Sequence, residues 1–209
     1  MLVVPYVEGM LWPATRAIGA RFNAQFTRVG GSDTDYHSLV TRLWTAGQGF
    51  ALLEHDLSPS AALLSELLAC PRDWCVGHYL YAPEGKPILI FGFGIAKFAT
   101  RLVRTEADAM ARVEPCHWSA LDLNLADLLQ ERGHEPHSHL PAARHLRAGL
   151  DMAVSVVKDG VRYDTPGRGE PLVFQARSEV SLWGRVLAKA RVVRRSQKEG
   201  RHAPALSNR

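Results

Sequence analysis

Four consecutive apolar residues, Phe50-Ala51-Leu52-Leu53, stop abruptly at Glu54-His55-Asp56. A short unbroken apolar run is the pattern of a strand buried on both faces, which belongs to a parallel sheet covered by helices on either side. Desolvating charge is costly, so two carboxylates and an imidazole at the end of such a strand point to something that uses them. In open α/β sheets ligands bind outside the carboxyl ends of the strands. Glu54 and Asp56, one residue apart, can address two parts of a ligand at that edge. One can meet a nucleotide ribose or ring donor while the other holds a divalent cation bridging a diphosphate. The alternative is a pair of solvated loop acids, with Asp56 favouring the positive end of the next helix.

The surrounding pattern supports a sheet of this kind. Residues 2–7 and 26–29 read as strands, with Pro5 near the end of the first. Tyr36, Leu39, Val40, Leu43 and Trp44 recur at helical spacing, and Gly47 stands where a C-terminal cap glycine belongs. Ser58-Pro59 predicts the start of another helix, with Leu63, Leu64, Leu67 and Leu68 as its buried stripe and Pro71 closing it. Strands are expected at 75–81 and 88–91, followed by Gly92-Phe93-Gly94. Residues 119–132 form a strong amphipathic helix through Leu121, Leu125, Leu128 and Leu129, with Gly133 after its end. Strands alternating with helices define an α/β class with a mostly parallel central sheet flanked by helices. Beyond about residue 150 the pattern weakens. Residues 159–171 read as a Gly- and Pro-rich loop, and a last helix is expected around 179–195.

A chain of 209 residues fits one domain, or one domain with an appendage. No apolar run approaches the ~20 residues that span a bilayer, and the N-terminus lacks the features of a signal peptide, so the expected compartment is cytoplasmic. Much of the net charge of +4 sits in Arg185, Lys189, Arg191, Arg194, Arg195, Lys198 and Arg201. That tail suits an anionic surface such as phospholipid, nucleic acid or an acidic protein; a solvated tail is the plain alternative. Cys70, Cys75 and Cys116 are poorly spaced for a zinc site and read as reduced structural thiols.

Two further features carry chemistry. His134, His137, His139 and His145 crowd one stretch, which suits either a metal site or ordinary surface and packing histidines. Asp122 follows Ser119 at the spacing of a helix capping box, in which its carboxylate would only satisfy orphan amides.

The order of these motifs resembles that of the GT-A glycosyltransferases. The likeness runs over residues 2–146: strand, acidic triplet and helix, a glycine-containing strand, Asp122-Leu-Asn-Leu125 leading to Gly133, then Pro141-x-Ala143-x-His145. It is similar to an abbreviated branch found in actinobacteria and their phages. The resemblance implies a Rossmann-like fold in which Glu54-His55-Asp56 stands in the place of the metal-binding acidic motif. It makes Asp56 and His145 ligands of Mn²⁺ or Mg²⁺, Asp122 the catalytic base of an inverting transfer, and Pro5, Tyr6, Glu8, Glu54 and Gly94 the donor-binding residues. Its partners are then a nucleotide-diphosphate sugar and a hydroxyl acceptor on protein or glycan. Residues 1–150 form the catalytic domain in this reading, and residues 151–209 a C-terminal extension with an amphipathic helix and basic tail. The stretch between Asp33 and Glu54 is much shorter than in typical members, which abbreviates the nucleotide-binding half. Leu121 stands where many members carry a second carboxylate. Two readings from other classes remain open: a zinc-dependent hydrolase built on the 134–145 histidines with Asp56, and a non-enzymatic binding module presenting the basic tail.

Overall fold

A computed structural model describes residues 1–30, 32, 34–81, 88–145, 154–158, 161–165 and 172–175. The chain divides into two compact units, Met1–Phe174 and Gln175–Arg209. The helix expected around 179–195 and the basic tail lie outside the described residues.

In chain order the elements are β1 (Leu2–Tyr6), α1 (Pro13–Arg21), β2 (Gln25–Arg28), α2 (Asp35–Thr45), β3 (Phe50–Leu53), β4 (Leu57–Ser58), α3 (Ala61–Ala69) and β5 (Trp74–Tyr81). They continue with β6 (Ile88–Phe98), α4 (Thr100–Thr105), α5 (Ala109–Arg112), α6 (Trp118–Glu131), β7 (His137–His145), β8 (Val154–Lys158), β9 (Val161–Thr165) and β10 (Leu172–Gln175). Seven strands form one sheet in the order β2-β1-β3-β6-β5-β7-β4. β1 runs parallel to β2 and β3, and β5 parallel to β7, while β6 is antiparallel to both β3 and β5. Within this sheet all strands but β6 and the two-residue β4 therefore point the same way.

Helices cover both faces, which is why β3 is apolar at every position. Leu2, Val4, Ala51, Leu53, Cys75, Tyr79 and Ile95 pack with Leu63, Leu64 and Leu67 of α3, flanked by Ile18 of α1 and Phe22. On the alternate positions, Phe50 and Phe98 meet Trp44 of α2, and Phe98 also contacts Trp74 and Phe93. The Trp44 indole N–H donates to the Glu106 carbonyl at 2.7 Å, tying α2 to the end of α4. Gly47 has φ +66° and ends α2 with its N–H on the Trp44 carbonyl, as its position in the sequence suggested. Pro5 follows the last β1–β3 pair, Val3 with Leu52, so its missing N–H removes no bond from that ladder.

Two irregularities fall at the same level of β5. From Val76 to His78 the partner strand β6 runs from Ala96 to Phe91, and from Gly77 to Tyr79 the partner β7 runs from His139 to Ala143. Both neighbours bulge there, β6 with Gly92-Phe93-Gly94 and β7 with Pro141, which lacks a ladder donor.

Several local expectations change. Leu57 and Ser58 pair with β7, so α3 starts later, at Ala61, with Ser60 as the cap whose hydroxyl accepts the Leu63 N–H at 3.1 Å. The expected loop at 159–171 contains β9, which pairs antiparallel with β8. Strand β7 and helices α1, α4 and α5 are additional. No helix among the described residues is long and apolar enough to cross a membrane.

Candidate functional site

The acidic triplet is a tight turn clamped on two sides. The Glu54 N–H donates to the Gly94 carbonyl of β6 at 2.8 Å, and the Leu57 N–H returns to the Glu54 carbonyl at 3.2 Å. From the other side, the Trp12 N–H reaches the His55 carbonyl at 3.1 Å and the Thr15 hydroxyl reaches the Leu57 carbonyl at 2.9 Å. Glu54 and His55 are half-buried, and Asp56 is only 5% exposed. A solvated loop acid does not describe Asp56.

Asp122 comes to the same region from α6. That helix begins at Trp118, which places Ser119 inside it, so the capping-box geometry does not form. The Asp122 carboxylate turns to the bulge of β6, with Oδ2 3.5 Å from the Phe93 N–H. A β-carbon on Gly92 would lie 2.6 Å from that oxygen and 3.0 Å from the Tyr79 hydroxyl. Glycine is therefore needed at 92 for the carboxylate to sit where it does. Burial pushes the Asp122 carboxyl up to about 6, partly offset by N–H bonds from its own backbone and from Phe93. Asp122 as a residue is half-buried, with its carboxyl turned inward.

Two tyrosines complete the cluster. Tyr36 of α2 and Tyr79 of β5 are 7% and 6% exposed. Burial raises both phenols well above their usual range, and the charges of Glu54 and Asp122 raise both further, with Asp56 adding to Tyr79. Carboxylates from two separate segments, the 54–56 turn and α6, thus act on the same two rings. The Tyr36 hydroxyl is buried without a hydrogen-bond partner. Sequence reasoning took Tyr36 for part of a helical stripe and gave Tyr79 no role. The signal available was a phenol at a core position, since a buried tyrosine hydroxyl ordinarily needs a partner that phenylalanine does not.

The remaining expected residues fall as follows. Pro5 is buried and Tyr6 half-buried at the carboxyl end of β1, beside β2. Glu8, just beyond, is exposed and pairs with Arg28 at 3.2 Å, a solvent-screened contact of little energetic weight. Gly94 is approached by the chain itself, since a β-carbon there would lie 2.6 Å from Leu57 Cδ1 and 3.0 Å from Tyr79 Cε1. The backbone of His145 pairs with Leu57 across β4 and β7, next along the chain from Asp56.

The histidine-rich stretch separates into different environments. His134 Nε2 bonds Glu106 at 2.8 Å. Glu106 also ion-pairs with Arg132, and Arg132 then His134 hold its carboxyl below the usual range. His134 is thus a packing and hydrogen-bond partner at the end of α6. Among the described residues the group with metal-compatible spacing is Cys70, His137 and His139, which includes neither Asp56 nor His134.

Fold and site together define an α/β protein with a two-sided, mostly parallel sheet and an acid-rich edge at its strand ends. No protein-family model and no curated protein matches the sequence. Among solved structures, A197 from STIV matches at 8% identity and a TM-score of 0.43, over 68% of this chain and 81% of that one. A glycosyltransferase involved in the glycosylation of the major capsid of PBCV-1 matches at 9% identity and a TM-score of 0.39, over 67% and 82% of the two chains. Identities this low carry no residue-level correspondence.

Proposed function

We propose that this protein is a metal-dependent glycosyltransferase of the GT-A kind, moving a sugar from a nucleotide-diphosphate donor to a hydroxyl acceptor with inversion. The observation that carries the reading is the Asp122 carboxyl, raised by burial to about 6 and acting together with Glu54 on Tyr36 and Tyr79. A base poised near neutral pH combines the right protonation state with a useful driving force for proton transfer.

In this mechanism Asp122 takes the proton of the acceptor hydroxyl as the acceptor oxygen bonds the anomeric carbon. The bond from that carbon to the diphosphate oxygen breaks on the opposite side, and its electron pair leaves with the diphosphate. Asp56, with His145, would hold the divalent cation. When bound, Mn²⁺ or Mg²⁺ supplies charge neutralisation to the leaving diphosphate. The donor set suits such an ion, because Glu54, Asp56 and Asp122 concentrate negative charge around Tyr79, and carboxylate oxygens with one imidazole favour Mn²⁺. Glu54, Pro5, Tyr6 and Glu8 face the ribose and base in this reading, and Gly94 contributes backbone near the sugar.

A thermal-shift screen against UDP-, GDP- and dTDP-sugars, with and without Mn²⁺, tests donor binding. One nucleotide class is expected to raise the melting temperature only with the metal, by the equivalent of about 2.7 kcal/mol at a hundredfold excess over Kd. No shift with any of them removes the donor-binding reading.

Gly92→Ala tests the position of the base. The new methyl group must displace the Asp122 carboxylate, and turnover is expected to fall by up to about 10²-fold, the effect of an ångström-scale misplacement. The colliding atom is the end of a side chain, so the circular dichroism spectrum should be unchanged. Full turnover in a folded Gly92→Ala protein would place the base elsewhere.

A further inference from the structure

The other end of the sheet holds a second cluster that the transferase reading leaves unused. His137 and His139 open β7, where they pair with Cys75 and Gly77 near the start of β5. Being two residues apart on one strand, they share a face, with ring centroids 4.9 Å apart. Cys70, the residue that caps the C-terminus of α3, comes to the same place. Ligand atoms of Cys70, His137 and His139 all lie within 4.8 Å of one another.

One detail distinguishes this cluster from a chance gathering. His139 is 2% exposed, and its Nδ1 bonds the Glu66 carboxylate at 3.0 Å. Its Nε2 is buried with no hydrogen-bond partner. A buried polar atom left in that state is costly unless something occupies the position. A histidine whose far nitrogen is fixed by a carboxylate, with the other nitrogen left over, is the arrangement that orients imidazole toward a metal.

We propose that Cys70, His137 and His139 bind one zinc ion, with Glu66 orienting His139 through its Nδ1. The ligand set is one thiolate sulfur and two imidazole nitrogens, which suits zinc, and solvent completes the fourth position on the exposed His137 side. A tetrahedral site needs ligand atoms about 3.3–3.6 Å apart, so the cluster must contract by about 1 Å. The movable groups are the right ones, since Cys70 is half-buried and His137 exposed, while His139 is held. Lys97 anchors the Cys70 backbone by donating to its carbonyl. Cys75 lies nearby, but burial, followed by the hydrogen bond its S–H donates to Cys70, pushes its thiol up to about 12, so it stays protonated. Binding converts the Cys70 thiol to zinc thiolate and releases its proton to solvent, so affinity rises with pH. The ion ties the end of α3 to the start of β7. It sits at the amino-terminal ends of β5 and β7, whereas Glu54, His55 and Asp56 follow the carboxyl end of β3.

The full chain, stripped of metal under a reductant that does not bind metals, is titrated with Zn²⁺ against a chromophoric chelator and separately with Co²⁺. Expected are one equivalent of tight zinc, a higher melting temperature with zinc, and a near-ultraviolet thiolate-to-cobalt band. Cys70→Ser should abolish the band, His137→Asn should prevent stoichiometric binding, and Glu66→Gln should weaken affinity by about 10–100-fold. These three positions are at least partly exposed and leave the fold intact, unlike buried His139. Absence of saturable one-to-one binding overturns the assignment, as does a cobalt complex without the band or undiminished affinity in Cys70→Ser. Donor binding at the carboxylate edge is measured with Mn²⁺ in Cys70→Ser as well, and its persistence there separates the two sites.

Discussion

Replacing Asp122 with asparagine is expected to slow sugar transfer by a factor on the order of 10²–10⁴ while making the folded protein more stable at neutral pH. The first effect follows from losing the group that accepts the acceptor's proton. The second follows from desolvation. Burial raises the Asp122 carboxyl from 3.8 to about 6, so the folded state resists ionising this group. Between those two pH values the folded protein holds a proton that the unfolded chain has released, and stability therefore falls as pH rises through the window. Above about pH 6 the penalty is complete, of order 3 kcal/mol at about 1.4 kcal/mol per pH unit. Asparagine has the same shape and can still accept the Phe93 N–H, without the desolvated charge. Its melting temperature should exceed that of the native protein at pH 8, and the difference should vanish below pH 4. Turnover of the native enzyme should rise with pH through about 6, as the base ionises. An Asp122→Asn protein that is less stable and whose activity follows only its folded fraction would make Asp122 structural.

Asp56→Ala carries the next largest effect. Changing the outer groups that orient metal ligands already lowers affinity by about 10–100-fold, so removing a ligand itself should weaken Mn²⁺-dependent nucleotide binding by at least about 100-fold. Calorimetry with Mn²⁺ and the nucleotide found in the screen measures this directly. Asp56 is buried in the turn between β3 and β4, so its truncation also disturbs packing. Asp56→Asn, which preserves volume, is the control, and it should lose most of the metal-dependent affinity while melting close to the native protein. Native affinity in a folded Asp56→Asn protein would reject Asp56 as the ligand.

The central elements were legible because their signals are local. Phe50-Ala51-Leu52-Leu53 reads as a strand covered on both faces, and β3 is buried at every position. The stripe from Tyr36 to Trp44 reads as a helix, and α2 spans Asp35–Thr45. Where local signals compete, the reading fails. Ser58-Pro59 has the chemistry of a helix start, yet the backbone bonds available from β7 draw Leu57 and Ser58 into a strand. Ser119 and Asp122 have capping-box spacing, but α6 starts one residue early and the carboxylate turns to β6. In β7, histidines and a proline obscure an alternating pattern, because the bulge tolerates Pro141 where a regular central strand would not.

The sequence by itself determined the α/β class, the strand that ends in acids, and the residues from which a site can be drawn. Apolar periodicity, caps and turns act over a few residues, and these features need nothing more. Only the tertiary structure decided which of those residues meet. It buried Asp56, set Asp122 against Gly92, gathered Tyr36 and Tyr79 around the acids, and brought Cys70 to His137 and His139. It also sent His134 to Glu106, dividing four histidines that look like one cluster in the chain. Such meetings depend on strand register and helix packing between distant segments, so spacing along the chain does not encode them.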